Sequence, residues 1–157
     1  MSVQISNELK EIILDEKTIK IIASLSPEGE VHSAVKQSLS FDEQGQLIYL
    51  EFFEKSQTNI NMVNSIWFDK NISITAVTKD GRSFLIKGKP VRTRVFGHEY
   101  EKYYKLAEEK SEDNDLVAIY YIQPQEVYEQ SFSVQKIQHR EKYPLYVHLD
   151  KYAKEKE

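Results

Sequence analysis

Asn71-Ile-Ser-Ile-Thr-Ala-Val-Thr-Lys79 and Arg82-Ser-Phe-Leu-Ile-Lys-Gly-Lys-Pro-Val91 flank the dipeptide Asp80-Gly81. Both runs alternate and favour β-branched and aromatic side chains, as strands do. An Asp-Gly pair between two such runs is a strong hairpin signal, because the favoured two-residue turns require positive φ. The second run extends to Val95. Within it, Gly88-Lys-Pro90 marks a bulge or a sheet edge, since proline cannot donate to a ladder.

The same grammar holds upstream. Thr18-Ile-Lys-Ile-Ile-Ala-Ser-Leu-Ser26 reads as a strand, Pro27-Glu-Gly-Glu30 as a turn, and Val31 to Phe41 as the returning strand. Asp42-Glu-Gln-Gly-Gln46 turns the chain again into Leu47 to Phe53, which completes a meander. Ser6 caps a short first helix whose Leu9, Ile12 and Ile13 share a face. From Ser56 to Phe68 the spacing of Ile60, Val63, Ile66 and Trp67 is helical. Downstream, Phe96 to Lys110 is a helix with Phe96, Tyr100, Tyr103 or Tyr104, and Ala107 on one face. The run Ser111 to Asp115 is a loop. Leu116 to Ile122 is an apolar central strand that Pro124 ends or bends, and Gln125 to Val134 continues extended. Six or seven antiparallel strands at short spacing with about three flanking helices predict a mainly β, closed or nearly closed barrel. Residues 1–134 form this domain, and the charged, Tyr-rich residues 135–157 a C-terminal extension.

The 157 residues suit one domain, and 40% apolar with 29% charged residues is ordinary globular composition. A net charge of −4 without a basic stripe gives no case for nucleic acid. The absence of cysteine excludes disulfides, thiolate metal sites and cysteine nucleophiles. No signal-peptide pattern and no membrane-spanning run is evident, so a soluble cytoplasmic protein is expected.

The polar start of the Ser56 helix holds the chemistry. A helix N-terminus offers unpaired N–H groups and the positive end of its dipole, which together stabilise anions and phosphates. In Glu54-Lys-Ser-Gln-Thr-Asn-Ile-Asn61, Lys55 adds a charge, and Ser56, Gln57, Thr58, Asn59 and Asn61 supply hydroxyl and amide groups. None of His32, His98, His139 and His148 lies in a metal-binding pattern, no metal site is expected, and no residue stands out as catalytic.

The order of these pieces resembles the pyridoxamine 5'-phosphate oxidase-like family of FMN-binding split β-barrels, which have a Greek-key type of barrel. The matching segments are Ile21-Ile-Ala-Ser-Leu-Ser-Pro-Glu-Gly29, Ser56-Gln-Thr-Asn-Ile-Asn-Met62, Asn71-Ile-Ser-Ile-Thr75 and Phe84-Leu-Ile-Lys-Gly-Lys-Pro-Val91. The resemblance covers roughly residues 10–132. It implies a homodimer with FMN at the interface, its phosphate near Lys55, Ser56 and Thr58, and its ring along Val35, Lys36, Gln37, Ser38, Glu51 and Phe52. Trp67 is a further candidate for ring stacking. Many members carry a Lys two residues after the motif Ser. Thr58 stands there in this chain, so the charge has to come from Lys55. The implied activity is a flavin-dependent oxidoreductase with a small-molecule redox partner. The alternative on this fold is a non-enzymatic flavin- or haem-binding carrier or sensor, with His139 or His148 as haem ligands.

Overall fold

The computed structural model describes residues 2–145, together with Leu149 and Ala153. Seven strands and four helices follow in the order α1 (Asn7–Leu14), β1 (Ile19–Leu25), β2 (Val31–Val35), β3 (Leu39–Phe41), β4 (Leu47–Glu51), α2 (Gln57–Phe68), β5 (Ile72–Val77), β6 (Ser83–Arg94), α3 (His98–Lys110), β7 (Ala118–Glu129) and α4 (Phe132–Lys142). The strands form one antiparallel sheet in the order β2-β1-β5-β6-β7-β4-β3.

That order forces the sheet to curl. In a flat sheet its two outer strands would stand about 29 Å apart at ordinary strand spacing. Yet only residues 36–38 separate β2 from β3, a reach of about 14 Å. The expected single strand from Val31 to Phe41 is therefore two strands joined by a crossing segment. Lys36 N–H donates to the Lys20 carbonyl (2.7 Å) on one side, and Leu50 N–H donates to the Ser38 carbonyl (3.2 Å) on the other. One run of chain thus bridges both edges of a split barrel.

The β5–β6 hairpin turns at Asp80-Gly81, with Gly81 at φ +88°. The β6–β7 ladder shifts register at Lys87/Gly88 and again between Pro90 and Arg92. Gly88 is required there, because a Cβ would lie 2.6 Å from the Gln123 carbonyl oxygen. Pro124 sits opposite Gly88 at the first irregularity, so β7 bends there and continues to Glu129.

Two apolar layers hold the barrel. Its interior gathers Ile22, Leu47, Tyr49, Met62, Ile74, Ile86 and Tyr120, and α1 adds Leu9 and Ile13. On the other face of β4 and β7, Ile48, Ile119 and Tyr121 pack with Tyr103 of α3. The α3 face buries Tyr103 and Ala107, with Tyr100 and Tyr104 half-buried against the same cluster, while Phe96 precedes the helix and is exposed. Among the described residues there is a fourth helix beyond the three expected: the extended segment expected to Val134 ends with β7 at Glu129, and α4 starts at Phe132 with no buried residue. No helix among the described residues is long and apolar enough to cross a membrane.

Candidate functional site at the start of α2

Ser56 starts α2 because its side chain supplies what the helix end lacks. Its backbone is extended, and its Oγ accepts from Asn59 N–H at 3.0 Å. The same hydroxyl donates to Glu51 Oε1 at 2.5 Å. Glu51 is fully buried. It also accepts from Phe53 N–H (3.3 Å) at Oε1 and from the Tyr49 hydroxyl at Oε2. No cation pairs with this carboxylate among the described residues. Three donors and the positive end of α2 hold it instead. Burial, and then the hydrogen bond to Glu51, push the Tyr49 phenol far above the usual range. Burial, with the Glu51 charge adding, raises the neighbouring Tyr120 to about 12.

The polar side chains of the helix start are mostly engaged inside the molecule. Asn59 donates to the Glu54 carbonyl (2.8 Å) and accepts from the Tyr120 hydroxyl (2.5 Å). Asn61, buried, donates to Ser24 Oγ (3.1 Å) and accepts from Gln57 Nε2 (2.8 Å). Three features stay without partners among the described residues. The Gln57 and Thr58 amides precede the first intrahelical donors and meet no acceptor. Thr58 Oγ1 is buried with no partner. Lys55 is exposed and outside every ion pair.

The crossing segment runs beside this helix start. Lys36 Nζ lies 5.9 Å from the Phe53 ring centroid, which ties the segment to the β4–α2 connection. Gln37 extends the β1 edge with its side chain: Oε1 accepts from Lys20 N–H and Nε2 donates to the Thr18 carbonyl, both at 2.9 Å. Ser38 Oγ donates to the Leu50 carbonyl at 2.6 Å. Gln37, Ser38 and Phe52 line a cleft of about 700 Å³ facing α3. Val35 is exposed on the outer face of β2. The structure thus links the crossing segment to the β4–α2 connection through Lys36 and Phe53. Gln37, Ser38 and Phe52 line a cleft that the Lys55–Asn61 turn does not, and Glu51 lies beneath the helix start. Trp67 lies about 16 Å along the helix from its start, 78% exposed, and does not join this group.

Sequence reasoning missed Lys20, the buried cation of the neighbouring cleft. Its signal was present but inverted. Along β1 and its two flanking residues, the polar phase Thr18, Lys20, Ser24 and Ser26 is buried with Ile22, while Ile19 is exposed and Ile21 and Leu25 only half-buried. His139 lies on exposed α4, and His148 lies outside the described residues.

No family model matches this sequence, and no curated protein matches it either. Solved structures do. HupZ of Group A Streptococcus superposes with a TM-score of 0.67 at 20% identity, covering 82% of this chain and 96% of that one. An FMN-binding protein from Syntrophomonas wolfei subsp. wolfei gives a TM-score of 0.63 at 12% identity, covering 78% and 84%. A candidate pyridoxamine 5'-phosphate oxidase from Lactobacillus delbrueckii gives 0.59 at 13% identity, covering 80% and 93%. The chain thus has the split-barrel fold found among pyridoxamine 5'-phosphate oxidase-like proteins and the HupZ protein.

Proposed function

We propose that this protein binds FMN at the split of its barrel as a homodimer and serves as a flavin-dependent oxidoreductase. The observation that carries the reading is the unsatisfied start of α2: two free amides, a buried hydroxyl without a partner at Thr58, and the unpaired Lys55 beside them. Those are the donors and the charge a phosphate takes at a helix N-terminus. Bound flavin supplies the redox chemistry, and the chain's part is to hold and orient it. Ser56 fixes the helix start from within its bonds to Asn59 and Glu51 and so acts on a phosphate through the backbone amides. Lys36 and Gln37 stand on the crossing segment, where the polar edge of a flavin ring would meet them.

Apolar faces support the dimer. Val31 and Val35 of β2, Ile19 of β1, and the stripe Ile60, Val63 and Trp67 of α2 are all exposed in the single chain. Large exposed apolar surface of this kind marks an association face. The neighbour described as FMN-binding shares the fold and agrees with the cofactor assignment.

The test is titration of the purified protein with FMN, following flavin fluorescence and melting temperature together. Saturable binding with a raised melting temperature is the expected result, and Lys55→Ala should weaken it about tenfold through the lost charge. A protein that neither quenches FMN nor gains stability from it contradicts the proposal. Reduction of the bound flavin by a nicotinamide donor then separates an oxidoreductase from a carrier.

A further inference from the structure

Beside the crossing segment, a cleft of about 700 Å³ opens between the end of α1, β3–β4 and α3. That volume is within the range of small-molecule sites, about 300–1,000 Å³. Its walls are mainly apolar, formed by Leu39, Leu50, Phe52 and Leu106. Leu14 and Leu106 at this cleft remain 54% and 45% exposed, so apolar surface is left for an occupant to cover. Among the lining residues stands Lys20, 2% exposed. Its ammonium donates to the Ile13 carbonyl (2.8 Å) and the Asp15 carbonyl (3.2 Å), the open end of α1. An ammonium has three protons, which leaves one without an acceptor. No carboxylate lies within ion-pair distance of Lys20 among the described residues. A buried cation with a spare donor in an apolar cleft calls for an anion to complete it.

We propose that this cleft binds a small amphipathic monoanion, its carboxylate or sulfonate head on Lys20 and its apolar body between β3–β4 and α3. The cleft shares Gln37, Ser38 and Phe52 with the flavin reading, but the proposal rests on Lys20, which that reading does not use, and its occupant would lie beside a bound ring. It also accounts for a lysine in the buried phase of β1, a position where an apolar residue would cap nothing and attract nothing. The rim carries charges of both signs, Glu16, Glu109 and Lys110, and Asp15 and Glu16 already favour the Lys20 charge. An anion therefore has only the spare Lys20 donor to recommend the site and must compete with two nearby carboxylates.

Decanoate and its uncharged analogue decanol, displacing the fluorescent probe 8-anilinonaphthalene-1-sulfonate from the full-length protein, make the test. The expected result is saturable probe binding that decanoate displaces. Lys20→Met should then weaken decanoate about tenfold while leaving decanol unchanged, because only the charge-assisted bond is lost. Leu106→Glu, on a half-exposed helix face where folding is not at stake, should abolish both. Lys55→Ala should leave decanoate unaffected, so failure here and failure of the FMN reading are separate results. Absence of saturable binding, an unchanged affinity in both cleft variants, or equal losses for decanoate and decanol in Lys20→Met would each overturn the proposal.

Discussion

At the scale of single residues, the molecule is organised by polar groups in places where apolar ones are usual. Glu51 is the sharpest case, since its carboxylate is the acceptor on which the Tyr49 and Ser56 hydroxyls both depend. Glu51→Ala should cost about 2–4 kcal/mol in urea unfolding, from the stranded donors and the cavity together, and Glu51→Gln clearly less. Thr58→Val makes the opposite demonstration. The substitution keeps the shape and removes a buried hydroxyl that has no partner, so the free protein should gain about 1 kcal/mol while its affinity for FMN falls. Equal losses of stability and affinity would instead make Thr58 a purely structural residue. Tyr120 gives a pH signature. Its pKa is raised by burial to about 12 from an ordinary 10. The neutral phenol therefore contributes stability that is fully present below pH 10 and lost as pH rises toward 12. Tyr120→Phe should flatten that alkaline fall in melting temperature. Lys20 runs the other way: burial lowers its pKa below 10.5, so the cost of its charge eases as pH rises through the window just under that value.

Among the elements, the hairpin and helix boundaries were legible because they rest on local chemistry. Asp80-Gly81, the Ser6 cap and the Gly88-Lys-Pro90 irregularity each need a specific residue at a specific place. Gly88→Ala should destabilise by about 1–3 kcal/mol, since the new methyl meets the Gln123 carbonyl with no flexible neighbour to yield. A melting temperature equal to that of the parent would show that the β6–β7 ladder opens more easily than its geometry implies. What periodicity could not give was the sense of burial. In β1 and α2 the helical and strand periods are present, yet Lys20, Ser24, Thr58, Asn61 and Ser65 face inward and Ile19, Ile60, Val63 and Trp67 outward. Period alone does not say which face is the core, and the usual assumption reverses where a second surface competes for the apolar side. The donors at the helix start were likewise counted from residue types. Their internal partners, Glu51, Ser24, Glu54 and Tyr120, lie on other segments and could not be read from a local window.

For the whole molecule, the decisive fact is a three-residue crossing that binds the first and last strands of one sheet. It closes the barrel, and it carries Lys36, Gln37 and Ser38 past the α2 start and along the neighbouring cleft. The resemblance of motif order to FMN-binding split barrels pointed to this architecture, and the neighbours of known structure share it at 12–20% identity. A chain that exposes Val31, Val35 and Trp67 in isolation should sediment as a dimer. Trp67→Glu, changing an exposed side chain, should shift it toward monomer without unfolding it, whereas an unaltered sedimentation coefficient would remove the α2 stripe from the interface. The central claim is that the start of α2 takes a flavin phosphate. Calorimetric titration with FMN and with riboflavin, which lacks the phosphate, tests it most directly. The account predicts that FMN binds saturably and at least about tenfold more tightly than riboflavin, with the difference largely erased by Lys55→Ala. Equal affinities for the two, or binding of neither, would contradict it.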